Sequence, residues 1–317
     1  MKKNIRIAIS MGEPTGIGPE VLVKALRALK HLKGATFFVC GDSFVLTKYG
    51  FRSQTNVNLI DLKNITPRQF EPGVPTRESA KATLDYLESA VALIKKGKAD
   101  GLATAPLSKE HVTRAGFLWP GHTEFLAHAF GVSHVEMVFV AETLKVVLAT
   151  RHVSLKDAIN SITESKIVRC GDFVLDLLKR TVKVKNPRIA VCGLNPHAGE
   201  AGLFGSEEKA SIAPAIKKLN KARGEHFFGP FAADTVFRRA RQGEFDLVMA
   251  MYHDQGLIPF KMIAFDKGIN VTIGLPFIRT SPLHGTAFDI AGKNMADPRS
   301  MEAAIRLACQ WNKSSLK

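Results

Sequence analysis

The chain has 317 residues, of which 45% are hydrophobic and 23% are charged. This composition is ordinary for a globular protein and excludes a disordered or fibrous chain, and at about 150 residues per domain the length predicts two lobes. The 44 lysines and arginines outnumber the 29 aspartates and glutamates, which gives a formal net charge of +15.

Strand-like and helix-like segments alternate from the start of the chain. The β-branched run Ile5–Ser10 predicts a first strand. A loop of glycines and prolines follows, and Pro19 opens a helix whose apolar residues recur at helical spacing. Four further segments are predicted before position 106, namely strands at 36–40, 57–60 and 101–105 and a long helix at 79–94.

The middle of the chain departs from this alternation. The apolar runs 135–141 and 145–150 are separated by about one turn, which predicts an antiparallel hairpin. Later segments with predicted structure are strands at 188–193, 246–252 and 269–273 and a helix at 206–223. The pattern indicates an α/β fold around a mixed, mostly parallel sheet, in which ligands collect at the carboxyl ends of strands.

A glycine-rich loop, Gly12-Glu13-Pro14-Thr15-Gly16-Ile17-Gly18-Pro19-Glu20, joins the first strand to the first helix. A G-x-G-x-x-G dinucleotide loop would need a third glycine where Val21 stands, and Pro19 removes an N–H that would face phosphate. Asp42, after the second strand, could still pass for a ribose-binding acid. A structural or substrate-facing turn is favoured over a conventional Rossmann site.

Three of the ten histidines, His152, His197 and His253, stand at the ends of predicted buried strands. Three neutral imidazoles with an open fourth position can form a catalytic site for Zn²⁺ or another divalent ion. Glu200 and Asp254 lie close in sequence to two of them and could orient a ring N–H. Because spacing does not show that the three converge, ordinary packed or surface histidines remain the alternative.

A second set of residues could bind an anionic substrate. His122 and Thr123 precede a short predicted helix, whose first N–H groups form a potential anion site, although Thr123 could instead simply cap that helix. Lys261, Asn270 and Arg279 lie at later strand and loop ends. A lysine, an amide and an arginine could hold a phosphate and a carboxylate, although each could also be a structural polar residue.

These motifs together resemble the 4-hydroxythreonine-4-phosphate dehydrogenase family of pyridoxine 5′-phosphate biosynthesis. MGEPTGIGPE, GHTEF, Arg151-His152, NPHAGEAGLFG, GPFAADT, YHDQG and GINVTIGLPFIRTSPLHGTAFDIAG occur in family order over nearly the whole chain. The resemblance implies one divalent metal ion (zinc, magnesium or cobalt) on His152, His197 and His253, in an active site shared across a homodimer interface. It also implies substrate contacts from five residues: His122, Thr123, Lys261, Asn270 and Arg279.

The family is similar to the isocitrate and isopropylmalate dehydrogenases, which implies two α/β/α lobes and a nicotinamide site without a Rossmann fingerprint. We expect a cofactor-side lobe at 1–120 plus 281–317, a lobe for metal, substrate and dimerisation at 121–280, and a cleft between them. In these relatives the loop corresponding to 284–292 holds the adenosine end, which implies NAD contacts from His284, Gly285, Asp289 and Ile290. Asp289 would accept a ribose hydroxyl and repel the 2′-phosphate of NADP. Phe288 replaces a common proline and leaves the backbone path of this loop open.

The implied reaction is NAD-dependent oxidation of 4-phosphooxy-L-threonine at C3, followed by decarboxylation to 3-amino-2-oxopropyl phosphate and CO₂, in vitamin B6 biosynthesis. Asp254 and Lys261 are both candidates for the general base. A sister branch that oxidises D-threonate or D-erythronate 4-phosphate carries the same motifs, so the substrate stays open between the two.

The net charge raises a nucleic-acid-binding module as a different class of function. The basic residues lie in scattered short groups, and no aromatic residues interleave with them as a stacking surface requires. We therefore expect no nucleic-acid partner, and a basic field that suits a small phosphorylated substrate.

No membrane partner is predicted, because no apolar run reaches the roughly 18–20 residues that span a bilayer. The segment Ile5–Ser10 is shorter than a signal-peptide core, so we expect a cytoplasmic protein. Cys40, Cys170, Cys192 and Cys309 lie far apart in the sequence, which favours reduced thiols.

Overall fold

A computed structural model describes residues 4–315, with side chains described for 4–312. The chain forms two compact units: unit 1 contains the described residues up to Val135 and from Asp266 onward, and unit 2 is Glu136–Phe265. The boundaries expected after residues 120 and 280 differ from this division. A physical reason is that the strand at 269–273 pairs with the next strand of unit 1. The cofactor and substrate roles given to the two lobes stay predictions.

In its described part, unit 1 has six strands: β1 (Ile5–Ser10), β2 (Ala35–Gly41), β3 (Val57–Asp61), β4 (Gly101–Thr104), β10 (Ile269–Ile273) and β11 (Arg279–Pro282). Their order is β3-β2-β1-β4-β11-β10. All neighbours pair in parallel except β10, which runs antiparallel to β11. The first strand has the predicted bounds, and the other predicted strands are confirmed within one residue at each end.

The described α-helices of unit 1 are α1 (Gly18–Ala28), α2 (Ser43–Lys48), α3 (Arg77–Lys95), α4 (Lys109–Arg114), α5 (His122–Ala129) and α11 (Arg299–Ser315). Short 3-10 turns occupy Pro67–Gln69 and Phe288–Ile290. Helix α1 has Pro19 in its first turn and buries Val21, Leu22 and Leu26 completely, as helical spacing predicts. Helix α3 begins after Thr76, whose hydroxyl accepts the Ser79 N–H at 3.1 Å.

The described strands of unit 2 are β5 (Glu136–Val140), β6 (Lys145–Leu148), β7 (Ile189–Cys192), β8 (Phe227–Phe231) and β9 (Leu247–Ala250), in the order β5-β6-β9-β7-β8. The predicted hairpin is confirmed, because β5 and β6 pair antiparallel. The other pairs are parallel. The predicted α/β class with a mixed, mostly parallel sheet is therefore confirmed within both units.

The described α-helices of unit 2 are α6 (Leu155–Ser161), α7 (Glu164–Asp176), α8 (Ala213–Arg223), α9 (Ala233–Arg241) and α10 (His253–Ala264). Leu177–Val182 and Glu208–Ile212 are π-helical, and Pro196–Gly202 forms a tight turn with positive φ angles at 197–201. The helix predicted at 206–223 is confirmed, although its first part, Glu208–Ile212, is π-helical and precedes α8. Glu208, in this π-helical part, is buried.

The glycine-rich loop is a tightly packed turn. A Cβ added at Gly18 would lie 2.6 Å from the Met11 carbonyl oxygen, and one at Gly12 would collide with the Pro106 carbonyl. The Asp42 carboxylate accepts hydrogen bonds from the Asn64 and Ile65 backbone N–H groups, at 3.0 and 2.6 Å. These contacts explain both the glycines and the acid without a Rossmann site.

All four cysteines are buried free thiols, as expected. Burial raises the pKa of the Cys40 thiol to about 11, so this thiol is protonated at neutral pH. Within residues 4–315, the helices are too short or too polar to cross a membrane.

Asn312 joins α11 to the start of β11. Its Oδ1 accepts the Ile278 N–H at 2.8 Å, and its Nδ2 donates to the carbonyls of Ile278 and Ala308 at 3.0 and 2.9 Å. Asn312→Leu removes all three hydrogen bonds and leaves the Ile278 N–H without its acceptor, although the Ile278 carbonyl still accepts the Leu102 N–H, so the free energy of unfolding should fall by about 1–3 kcal/mol. Urea unfolding measures this, with Asn160→Leu on the exposed face of α6 as control. Equal free energies of unfolding for the two variants would show that the Asn312 hydrogen bonds do not stabilise the fold.

Candidate functional site

Two of the three predicted metal-binding histidines lie together in unit 2. Strands β6 and β9 pair in parallel with Leu148 opposite Ala250, and each is followed by one of these histidines. The Thr150 backbone N–H and hydroxyl both donate to the Met251 carbonyl, at 3.1 and 2.7 Å. This contact holds the two strand ends together just before His152 and His253, whose ring centroids are 5.7 Å apart.

The His253 ring has a fixed orientation. Its Nδ1 and the Asp254 Oδ1 are 2.7 Å apart, so the carboxylate accepts the Nδ1–H. Nε2 then carries the lone pair that binds a cation. A pocket of about 260 Å³ lies against both histidines and is also lined by Thr150 and Tyr252. This donor set fits two ligands of a divalent ion, with Asp254 in the orienting position that its sequence neighbourhood suggested.

His197 lies apart from this pair, on the segment Pro196–Gly202 after β7. Its ring is exposed and contacts Phe204, with centroids 6.3 Å apart. Within the part of a single chain that the structure describes, no group of three or more His, Cys, Asp or Glu side chains could hold a metal ion. The three-histidine site, with ligands shared across a homodimer, therefore stays a prediction.

The backbone around His197 is left-handed over five consecutive residues. The φ angles of residues 197–201 are 52°, 54°, 82°, 42° and 56°, and only Gly199 among them is a glycine. Each non-glycine residue in this conformation costs about 1–2 kcal/mol, and such strain is concentrated at functional sites. Nothing in the sequence pattern predicted this turn.

In unit 1, Arg279 is a buried cation whose hydrogen-bond partners are neutral. It is 3% exposed. Its Nε donates to the Thr104 hydroxyl at 3.1 Å, Nη2 bonds the same oxygen, and Nη1 lies 3.4 Å from the Thr272 hydroxyl. Burial lowers the pKa of Arg279 to about 9, against the attraction of Glu124. A guanidinium bonded to neutral oxygens keeps its charge for an incoming anion.

The residues at the start of α5 lie close to this arginine. Gly121 occupies the capping position, so the idea that Thr123 caps the helix is wrong. The Thr123 hydroxyl instead lies 3.4 Å from the Thr272 hydroxyl. Burial, together with the positive charges of Arg279 and Lys109, holds the pKa of His122 well below its usual range. His122 is therefore a neutral hydrogen-bonding group. The Arg279 contacts also bring in Thr104 and Thr272, two residues that the sequence analysis did not single out.

The two remaining predicted substrate residues lie on different units. Asn270, on β10 of unit 1, has a buried Oδ1 that finds no partner among the described residues. An unpaired buried acceptor is costly unless a ligand donates to it. Lys261 lies on α10 of unit 2 with its side chain exposed. Joint action of Lys261 with Arg279 stays a prediction.

The predicted NAD loop is anchored to the glycine-rich turn. The Ile17 N–H donates to the Thr286 carbonyl at 2.9 Å, and a Cβ added at Gly16 would lie 2.9 Å from that oxygen. A glycine is thus required at position 16 for the close approach of the Thr286 carbonyl. The sequence analysis considered Gly16 only as part of an incomplete dinucleotide motif and did not predict this role. Ala287, with φ of 40°, turns the chain into the segment Phe288–Ile290.

The side chains of this loop offer acceptors to a ligand. His284 Nδ1 donates to the Gly285 carbonyl at 3.1 Å, and its buried Nε2 has no partner in the described part of the chain. Burial lowers the pKa of His284, so Nε2 is an acceptor at neutral pH. An added Cβ at Gly285 would meet nothing within 4 Å, and the Asp289 side chain is exposed. Ile290 is half-buried and packs against the unit 1 core.

Residues 20–308 match the model of a protein family described as pyridoxal phosphate biosynthetic protein PdxA. The chain belongs to this family. The resemblance found in the motifs is thereby confirmed, and the relatives of this chain are named as dehydrogenases.

Relatives within the PdxA family carry two names. A 4-hydroxythreonine-4-phosphate dehydrogenase of Sulfurihydrogenibium sp. (strain YO3AOP1) is 40% identical over 96% of this chain and 97% of its own. A D-threonate 4-phosphate dehydrogenase of Cupriavidus necator is 44% identical over 95% of each chain. The crystal structure of 4-hydroxythreonine-4-phosphate dehydrogenase from Klebsiella pneumoniae covers 98% of each chain with a TM-score of 0.86 and 39% identity.

An isocitrate dehydrogenase from Methylococcus capsulatus is a more distant neighbour in fold. It is 15% identical, with a TM-score of 0.50 over 96% of this chain and 84% of its own. This similarity concerns the fold alone and confirms the predicted isocitrate dehydrogenase-like architecture of this PdxA-family chain.

The depressed pKa of His122 predicts a pH dependence of stability. Below about pH 6.5 the His122 imidazole binds a proton in the unfolded chain but stays neutral in the folded chain. The free energy of unfolding should therefore fall as the pH drops from about 6.5, with a slope of up to about 1.4 kcal/mol per pH unit from this group. His122→Gln should remove that share of the slope in urea unfolding between about pH 6.5 and 5. The control is His31→Gln, an exposed histidine, and a wild-type slope in His122→Gln would contradict the burial argument.

Proposed function

We propose that the protein is an NAD-dependent and divalent-metal-dependent dehydrogenase that oxidises 4-phosphooxy-L-threonine at C3. The C3 hydride passes to NAD⁺, the C3 hydroxyl loses its proton, and the resulting β-keto acid loses CO₂ to give 3-amino-2-oxopropyl phosphate. The observation that carries this proposal is the buried Arg279, held by neutral hydroxyls beside the start of α5, in a chain of the PdxA family.

The proposed substrate carries a phosphate, a carboxylate and an ammonium group. Arg279 would bind one anionic group, and Thr123 with the neutral His122 would donate hydrogen bonds that fix its orientation. The unpaired Oδ1 of Asn270 suits the ammonium group as donor. Lys261 would meet the second anionic group.

His152, His197 and His253 are the residues that would hold the divalent ion, with the site completed across a homodimer interface. The paired His152 and His253 rings and the orienting Asp254 fit such an ion. A bound divalent ion supplies positive charge that lowers the pKa of the substrate hydroxyl. Asp254 and Lys261 are the two candidates for the acceptor of the hydroxyl proton. Lys261 could take this proton only as the neutral amine, so in that role it would not also bind the second anionic group as a cation.

The nicotinamide cofactor would bind to the loop that Ile17 and Gly16 anchor. The buried Nε2 of His284 would accept a hydrogen bond from the adenosine end, and the backbone at Gly285 leaves room for it. Asp289 would accept the ribose 2′-hydroxyl, and Ile290 would pack against the base. The negative charge of Asp289 favours NAD, because it repels the 2′-phosphate of NADP.

Oxidation of D-threonate 4-phosphate or D-erythronate 4-phosphate is the second candidate function. The 44% identity to the Cupriavidus necator enzyme supports it. The sister substrate D-threonate 4-phosphate keeps the phosphate and the carboxylate and has a hydroxyl where the first substrate has its ammonium group. The two candidates therefore differ mainly at the group that would meet Asn270.

Absorbance of NADH separates the candidates. Purified protein with NAD⁺ and Co²⁺ should form NADH with 4-phosphooxy-L-threonine, lose this activity on addition of a chelator, and regain it when Co²⁺ is restored. Faster turnover of D-threonate 4-phosphate would establish the second candidate. Absence of NADH with all three phosphates would refute both.

Asp289→Lys tests the cofactor assignment. The substitution replaces a charge that repels the 2′-phosphate with one that attracts it, so the preference for NAD over NADP in kcat/KM should fall by about tenfold or more, which corresponds to about 1.4 kcal/mol. Glu71→Lys makes the same charge change at another exposed acid of unit 1 and should leave the ratio within twofold. An unchanged ratio in Asp289→Lys would exclude this placement of the adenosine end.

A further inference from the structure

One buried carboxylate holds the left-handed turn that carries His197. Glu208 is 5% exposed. Its Oε1 accepts hydrogen bonds from the backbone N–H groups of Leu194 and Asn195, both at 2.8 Å, and its Oε2 accepts one from Asn195 Nδ2 at 3.0 Å. These donors are all amide N–H groups, so the carboxylate fixes the chain between β7 and the turn.

Two glycines allow the turn to lie directly on this carboxylate. A Cβ added at Gly199 would lie 2.6 Å from Glu208 Oε2, and one at Gly193 would lie 2.7 Å from the Ala198 Cα. Gly199 has a φ of +82° and is the middle residue of the five left-handed ones. The turn therefore has little room to move relative to Glu208, and its strained backbone packs directly against the Glu208 carboxylate.

A second contact joins this loop to the helix that carries His253. Gln255, two residues further along α10, donates from Nε2 to the Gly193 carbonyl at 2.8 Å. Its Oε1 accepts the Met251 N–H at 2.6 Å. The ends of β7 and β9, which precede two of the predicted ligands, are thus tied by one side chain.

We propose that Glu208 is a positioning residue for divalent-metal binding, which presents the His197 imidazole in one orientation before the ion arrives. This inference rests on the proposed function, in which His197 is a metal ligand. A ligand that is already ordered binds without a further loss of conformational freedom. Groups that orient metal ligands typically change metal affinity by about 10- to 100-fold.

Calorimetric titration of the metal-free, full-length protein with Co²⁺ tests this role. In Glu208→Gln the Kd for Co²⁺ should rise by about 10- to 100-fold. Glu207→Gln is the matched control, because it removes the same charge from the neighbouring residue. The Glu207 carboxylate bonds the Asn195 side chain at 2.8 Å and not the backbone, so its Kd should stay within twofold of wild type.

A loss of folded protein would not reproduce this pattern. Metal-free Glu208→Gln should remain folded at the assay temperature even if its melting temperature falls, its KM for NAD should stay close to wild type, and its turnover should recover as Co²⁺ is raised. A wild-type Kd in Glu208→Gln would overturn the inference. If Glu208→Gln does not fold, Gly199→Ala perturbs the same contact from the turn, where weaker Co²⁺ binding is again expected and wild-type affinity would overturn the inference.

His197→Ala separates this inference from the proposed function. If His197→Ala loses Co²⁺ binding while Glu208→Gln keeps it, the metal assignment stands and the role of Glu208 is refuted. If His197→Ala binds Co²⁺ as tightly as wild type, the ligand assignment itself fails, and the positioning role fails with it.

Discussion

The parallel pairing of β6 with β9 is the constraint on which the chemistry of unit 2 depends. Thr150 clamps the two strand ends by two hydrogen bonds to the Met251 carbonyl, and His152 and His253 follow at once. Parallel strands end at the same edge of a sheet, so the segments that carry the two histidines leave β6 and β9 side by side. The spacing of the two rings is therefore set by the backbone, and Asp254 has only to orient one of them.

Unit 1 is organised around a positive charge that it retains at a cost. A buried guanidinium without a carboxylate partner destabilises a folded chain, and here hydroxyls offset only part of that cost. The nearby His122 remains neutral for the same electrostatic reason, since Arg279 and Lys109 oppose a further charge. The stability lost in this way would be offset if an anionic ligand bound to Arg279, which is the role proposed for it.

Sequence patterns predicted many of the elements but not β8, β11 or the contacts between elements. Periodicity located β1, the hairpin and α3, because their apolar residues recur at the regular spacing of a strand or a helix. Motifs pointed to the histidines at the strand ends, yet spacing could not show that His152 and His253 meet while His197 stands apart. Thr104 and Glu208 escaped notice because neither lies in a local pattern of its own, and their partners are distant in sequence or are backbone groups.

The family relatives show how narrow the difference between the two candidate substrates is. Relatives about 40% identical to this chain are named either 4-hydroxythreonine-4-phosphate dehydrogenase or D-threonate 4-phosphate dehydrogenase. The substrates 4-phosphooxy-L-threonine and D-threonate 4-phosphate both carry a phosphate and a carboxylate. Arg279 and Thr123 would bind such shared groups and therefore cannot discriminate. Discrimination requires a site whose polar atom is left unpaired by the wrong substrate. The buried Oδ1 of Asn270 is not such an atom, because a hydroxyl can donate to it as well as an ammonium group can. A preference for either substrate would therefore have to rest on the charge around this position.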